Sequence, residues 1–284
     1  MMKYRFFFLC FFLLVMTQAE AQRNAPKPKG NLFIIGGGSR SPELIRELLR
    51  TADLRPKDHI VVLPMSSAEP EASFASIAKE FSTASTQVIG NLNFDAEKVK
   101  DKVWLDSLRT ARLIFITGGD QSRFMKAVLH TPVYEVIHEA YRNGATIAGT
   151  SAGAAVMSKY MITGEQLLGD TSYRATFDKL LKGNIVFEEG MGLLDSVIID
   201  QHFVKRSRYN RLLSALAAHP TFDCIGIDEG TAIVVSGKKV RVAGVSQVLS
   251  ISDPKELKVT ETGHLKMKNL RFSIYTDGDS FMIK

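Results

Sequence analysis

The sequence predicts an α/β fold: a three-layer, mostly parallel sheet with a β-rich C-terminal part. Three observations point there. Short continuous apolar runs, such as Asn31 to Ile35, HIVVLP at 59–64 and RLIFIT at 112–117, alternate with segments of helical spacing. Strands apolar on both faces belong to a parallel sheet covered on both sides, whereas half-exposed strands alternate. Glycine-rich turns close these runs, and after residue 230 the pattern changes to closely spaced strand segments. The chain has 284 residues, 45% of them hydrophobic, enough for one substantial core and too few for two large domains. Residues 31–284 are therefore read as a single α/β domain.

The elements follow in order. Asn31 to Ile35 is a buried strand ending in Gly36-Gly37-Gly38-Ser39. Ser41 to Arg50 is helical, with Pro42 at an early position where its missing N–H is harmless. Strands follow at 59–64, 86–90, 112–117 and 145–148, and helices at 72–81, 101–110, 122–129 and 133–143. Val197-Ile198-Ile199 and Cys224 to Ile227 are two further apolar strands. The last strands are 231–236, 239–245, 247–251, 271–275 and 280–283. In parallel sheets, functional groups gather on loops at the carboxyl ends of the strands. The turns GGGS (36–39), GGDQ (118–121) and GTSAG (149–153) are therefore expected to converge.

Residues 1–21 are set apart from the fold. Lys3 and Arg5 precede an apolar run from Phe6 to Met16, and Ala19-Glu20-Ala21 supplies an A-x-A-like site before Gln22. This is the layout of a secretory signal peptide. The apolar run is shorter than the ~20 residues that cross a bilayer, so no stable membrane anchor is expected. The expected location is secreted or periplasmic. Residues 22–30, with two prolines and three basic residues, read as a flexible lead-in. The formal charge is +6, one unit lower once Lys3, Arg5 and Glu20 are removed. This mild excess is scattered, which suits an anionic small partner and not nucleic acid. Only Cys224 survives in the mature chain, so an internal disulfide is excluded; its apolar surroundings suit a small buried hydrophobe. No metal-binding or nucleotide-binding motif is present, so no cofactor is expected; GGGS lacks the Lys and the full spacing of a phosphate loop.

Gly149-Thr150-Ser151-Ala152-Gly153 is a G-x-S-x-G turn between a short apolar strand and the small residues Ala154, Ala155, Val156 and Met157 of a helix start. That context makes a nucleophile elbow. The turn is so tight that the serine takes a strained backbone conformation and its oxygen projects. Glycines two before and two after leave room for the crossing chains. The N–H after the serine and the helix start point at the same space, where an oxyanion would form. A packing turn lined with small residues is the alternative.

A serine hydroxyl needs a base and the base an orienting acid. Of the histidines, His202 alone follows an apolar run at a strand's carboxyl end, in Asp200-Gln201-His202-Phe203. Asp195, Asp200, Asp228 and Glu229 are candidate acids, with Asp228-Glu229 following the second apolar strand. The order serine, histidine, acid differs from the serine, acid, histidine order of α/β-hydrolases. The segment KRSRYNRLL (205–213) carries three arginines; Arg208 and Arg211 share a helical face, while Arg206 lies off it unless the segment begins as a loop.

Together, Gly118-Gly119-Asp120-Gln121, Gly149 to Ala154, Asp200-Gln201-His202-Phe203 with Arg206, Arg208 and Arg211, and Asp228 to Ala232 resemble the cyanophycinase and peptidase E family of serine peptidases. The likeness runs from about Gly30 to the end of the chain, and the DQHF-x-x-R-x-R-x-x-R stretch resembles the cyanophycinase branch. The resemblance implies a domain like those of class I glutamine amidotransferases. It implies Ser151 as nucleophile, His202 as base and Glu229 as orienting acid, with an oxyanion hole from backbone N–H groups near Gly119 and at Ala152. It implies a substrate pocket containing Gln121, Asp200, Gln201, Arg206, Arg208 and Arg211. It implies a homodimer that cuts cyanophycin, a poly-aspartate with arginine on each β-carboxylate, from an end into β-Asp-Arg dipeptides, or that cuts other Asp-containing or isoaspartyl peptides. Arginine forks suit carboxylates, and Asp200 suits the guanidinium or a positioning role. Residues 163–189 form a long polar stretch, which reads as an insertion at the mouth of that pocket.

Overall fold

A computed structural model describes residues 27–168, 177 and 179–284. The expected signal peptide and most of the lead-in lie outside the described residues. The end of the lead-in is not loose: the Lys29 and Gly30 N–H groups donate to the Arg142 and Tyr141 carbonyls, and Gly30 is buried.

The central sheet has eight strands. Its parallel half is β1 (Leu32–Ile35), β5 (Thr146–Thr150), β4 (Leu113–Ile116), β2 (His59–Leu63) and β3 (Val88–Asn91), adjacent in that order. On the other side of β1 lie β10 (Thr231–Ser236), β11 (Lys239–Gly244) and β16 (Ser280–Met282), all antiparallel. A second, four-stranded sheet holds β8 (Val197–Asp200) beside β9 (Asp223–Ile227), then β12 (Val248–Ser252) and β15 (Arg271–Tyr275). Its first two strands, read from the sequence as two further apolar strands, thus stand apart from the main sheet. Their apolar residues are used on both faces: Val197, Ile199, Ile225 and Ile227 pack toward the main sheet, Ile198 and Cys224 away from it.

One face of the main sheet, with Phe33, Ile35, Val62 and Phe115, packs on α1 (Pro42–Ala52) and α2 (Pro70–Ser82) through Leu44, Leu48, Ile77 and Phe81. Each such fully buried side chain contributes about 1.5–3 kcal/mol. The other face packs on α3 (Lys102–Thr110), α4 (Gln121–Val128), α5 (Pro132–Asn143) and the second sheet. The helix starts follow their side chains: Ser41 Oγ, Asp101 Oδ1 and Asp120 Oδ1 accept from the first-turn N–H groups of α1, α3 and α4. Helix α6 (Ala152–Ala155) is a single turn, shorter than the run of small residues after the elbow. The Val156 carbonyl is instead taken by the Met191 N–H at 2.6 Å, and the chain turns into β6 (Tyr160–Gln166). That strand pairs antiparallel with β7 (Ile185–Glu189), so the long polar stretch expected at the pocket mouth begins and ends as a two-stranded arm. A hairpin of β13 (Lys255–Val259) and β14 (Leu265–Lys268) and the helix α7 (Tyr209–Ala218) complete the chain. Among the described residues no helix is long and apolar enough to cross a membrane, and no group of His, Cys, Asp and Glu is placed to hold a metal.

Candidate active site

The three glycine turns meet at one rim because β1, β4 and β5 are parallel and end side by side. Strand β10 runs opposite to β1, with Ala232 facing Ile35, so its first residues lie at the same rim. The loop from β9 to β10, carrying Asp228 and Glu229, is therefore delivered there. Asp200 ends β8 beside Gly226 of β9, which brings the following residue pair, Gln201 and His202, to the rim as well.

Ser151 sits at the elbow with φ 53° and ψ −110°, a conformation that costs a non-glycine residue about 1–3 kcal/mol. It is held by its N–H donating to the Ile35 carbonyl at 3.1 Å and its carbonyl accepting from Ala154 and Ala155. The flanking glycines are needed for the crossing: a Cβ on Gly149 would lie 2.2 Å from the Gly153 carbonyl oxygen, and one on Gly153 would lie 2.3 Å from that of Ile116.

Ser151 Oγ lies 2.8 Å from His202 Nε2, and His202 Nδ1 lies 2.6 Å from Glu229 Oε1. Among the four candidate acids, Glu229 is the one on the imidazole. Asp228 is occupied, accepting from the Lys205 N–H at 2.9 Å and the Ser246 hydroxyl at 2.6 Å. Asp195 is exposed and Asp200 is buried elsewhere. The GGGS turn packs against the back of this chain of groups. The His202 N–H donates to the Gly36 carbonyl at 2.7 Å, and the Gly230 N–H to that of Gly37 at 2.9 Å. A Cβ on Gly37 would stand 2.4 Å from His202 Cε1, and one on Gly38 would stand 2.7 Å from Glu229 Cβ. The turn read from the sequence as one of three converging loops thus works as a cradle for the imidazole and the carboxylate.

His202 is 9% exposed. Burial pushes its imidazole below the usual range, the Glu229 hydrogen bond pulls the other way, and the nearby Arg206 and Arg208 cations lower it further. It therefore stays neutral, and able to accept a proton, to lower pH than an exposed histidine. The serine hydroxyl, neutral imidazole and carboxylate together form an arrangement that can take the hydroxyl proton as oxygen attacks a carbonyl carbon. Two backbone N–H groups beside Ser151, those of Gly119 and Ala152, are unpaired among the described residues, and Gly119 lines the cavity there. Gly119 itself, at φ 137°, is pressed on the 64–67 loop, where a Cβ would lie 2.2 Å from the Ser66 carbonyl oxygen.

Two cavities flank Ser151. One, of about 330 Å³, is lined by Gly37, Arg40, Ser73, Thr117 and Thr150. The other, of about 410 Å³, is lined by Gln121, Lys126, Glu165, Glu188 and Gln201 together with Arg206, Arg208 and Arg211. Five of the six expected substrate residues line this second cavity. Asp200 does not: it is 1% exposed, and its carboxylate is gripped by both Arg211 Nε at 2.8 Å and Arg211 Nη2, with Arg208 Nη1 at 3.5 Å. Of the two roles the sequence leaves it, the structure gives it positioning. Arg208 and Arg211 are each 2% exposed, and Arg208 also donates to the Gln201 carbonyl at 2.6 Å and to the Gln201 side chain. Arg208 stands at the residue just before α7, while Arg206 precedes it in a turn and is exposed. Gln121 reaches across to the arm, its Nε2 donating to the Ile162 and Thr163 carbonyls at 3.0 and 2.9 Å. Glu165, Glu188 and Lys126 were not expected at the site from sequence.

The comparisons with known proteins point to one family. The model for "Peptidase family S51" matches residues 32–243. A protein named cyanophycinase from Trichormus variabilis is 35% identical over 281 residues, covering 94% of this chain and 91% of its own. A peptidase E from Pasteurella multocida is 27% identical over 158 residues, covering 53% of this chain and 62% of its own. The crystal structure of a peptidase from an acI-B1 Actinobacterium superposes with a TM-score of 0.66, at 20% identity, over 91% of this chain and 98% of its own, a likeness of fold. With the family matched over the parallel strands and every strand-end loop described above, the chain belongs to peptidase family S51 and is a serine-type peptidase.

Proposed function

We propose that this protein is a secreted or periplasmic cyanophycinase: an exopeptidase that releases β-Asp-Arg dipeptides with Ser151, His202 and Glu229 as its catalytic triad. The single observation that carries the reading is the hydrogen-bonded chain Ser151–His202–Glu229 opening on a cavity walled by arginines. The 35% identity to a protein named cyanophycinase, over nearly the whole of both chains, supports the substrate.

In this mechanism Ser151 Oγ bonds to the carbonyl carbon of a backbone amide while its proton passes to His202 Nε2. Glu229 offsets the charge of the imidazolium. The oxyanion is met by the N–H groups of Gly119 and Ala152, which need no reorganisation. The C–N bond then breaks, His202 gives its proton to the leaving amine, and an ester on Ser151 remains. Water, deprotonated by the same imidazole, hydrolyses it and regenerates the hydroxyl. Arg206 and Lys126 are exposed cations at the cavity, and the guanidinium of Arg206, with its fork of donors, suits a terminal carboxylate. Arg208 and Arg211, held by Asp200 and Gln201, set the positive wall behind it.

Purified mature protein is expected to release β-Asp-Arg from cyanophycin, detected by mass spectrometry; no release where an authentic cyanophycinase works contradicts the reading. The relatedness to peptidase E keeps a second reading, a dipeptidase for short Asp-containing or isoaspartyl peptides. A panel of α- and β-linked Asp dipeptides separates the two. Export rests on the residue 1–21 pattern, and a homodimer on the sequence resemblance. A mature N-terminus at Gln22 outside the cytoplasm, and sedimentation at twice the chain mass, are the expected results.

A further inference from the structure

A β-Asp-Arg unit carries a guanidinium as well as carboxylates, and the residue that the sequence offers for it, Asp200, is unavailable. Its carboxylate is sealed behind Arg211 and Arg208 and does not line the cavity. The guanidinium must be met by another carboxylate of the wall. Asp120 lines the cavity, but its Oδ1 caps α4, accepting from the Ser122 and Arg123 N–H groups at 2.8 and 3.1 Å. The other two are Glu165 on β6 and Glu188 on β7. Both are exposed, and among the described residues neither has an ion-pair or side-chain hydrogen-bond partner.

Their position is built, not incidental. The arm that carries them is tied to the start of α4 by Gln121, through the carbonyls of Ile162 and Thr163, two residues from Glu165. Glu188 faces Met161 across the ladder, and the register shifts between Ile162 and Gln166, at Gly164 with φ 95°. Such an irregularity re-aims the side chains around it. The cavity therefore carries three arginines on the α7 side, Lys126 on α4, Ser151 in its lining and carboxylates on the arm.

We propose that Glu165 and Glu188 are specificity residues that read the substrate's guanidinium, so that the β6–β7 arm selects arginine-bearing peptides. The inference rests on the cyanophycin reading above, since it assigns the arginine half of that substrate. Carboxylate–guanidinium contacts are charge-assisted and geometrically selective, and a neutral isostere of arginine cannot make them in the same way.

The test compares a short β-Asp-Arg oligomer with the same oligomer carrying citrulline, whose urea group is neutral, using wild type, Glu165→Gln, Glu188→Gln and the double variant. In the double variant KM for the arginine oligomer is expected to rise about tenfold, with kcat little changed and KM for the citrulline oligomer unmoved. Added salt is expected to raise KM for the arginine oligomer in wild type and to have much less effect in the double variant. Variants that keep the wild-type preference for arginine, or that lose both substrates equally, overturn the inference while leaving the proposed function intact. A wild-type enzyme that cleaves neither oligomer removes the cyanophycin reading, and this inference with it.

Discussion

At the carboxyl ends of β1, β4 and β5, backbone runs against backbone so closely that glycines are required, and the reacting groups hang from it. Across the cavity, the β6–β7 arm brings exposed carboxylates to the same substrate space, held by two hydrogen bonds from Gln121 and by Ile162 and Ile185 in the cluster that packs on α7. The rim sets distances that proton transfer depends on, where about 1 Å of misplacement can cost a hundredfold. The arm sets charge, which acts over longer distances and tolerates movement. Catalytic power is thus expected to be fragile at the rim, and selectivity adjustable on the arm.

The rim should respond most strongly. Ser151→Ala is expected to lower kcat by roughly 10⁴-fold or more with the fold preserved, measured by product release and circular dichroism. Glu229→Gln is expected to cost roughly 10⁴ in kcat. It also carries a sign. The Glu229 hydrogen bond raises the His202 pKa, so its loss lowers that pKa. Activity is lost as pH falls through the pKa of the base, so the acid limb of kcat/KM should move to lower pH; a shift upward would contradict the assignment. Gly37→Ala would press its methyl on the imidazole at a position with φ 111°. A kcat loss of about tenfold to a hundredfold is expected, with KM little changed. Unchanged kcat would show that the rim is softer than the packing implies. Arg206→Gln belongs to the cavity mouth and should be mildest, raising KM a few-fold at most. Because Arg206 lowers the His202 pKa, its removal should move the acid limb to higher pH, opposite to Glu229→Gln.

The same contrast governs what could be read from the sequence. The rim was legible because its physics is written in residue types. Apolar runs mark the parallel strands, glycines mark the crossings, and Ser151 and His202 stand just after such runs, whereas the residues alone leave the acid open among Asp195, Asp200, Asp228 and Glu229, and only the family resemblance points to Glu229. The polar arm was legible only as a long insertion. Gly164 and the register shift beside it break the two-residue alternation of β6, and β7 ends in two exposed glutamates, so neither strand shows the usual period. Strands β13 and β14, rich in exposed lysine, were missed for the same reason. The division of the sheets was also hidden, since a strand buried on both faces looks alike in either sheet. For Asp200, residue type gave its charge but not its partners. Only the fold shows that two arginines three residues apart close over it.

The central claim is that His202 takes the proton of Ser151, and the most direct measurement is the rate at which a fluorophosphonate labels the intact protein as pH is varied. The account predicts labelling at Ser151, governed by a group that loses its proton below the range of an exposed histidine, and nearly abolished in His202→Ala. Labelling of another residue, or an unchanged rate in His202→Ala, would contradict it.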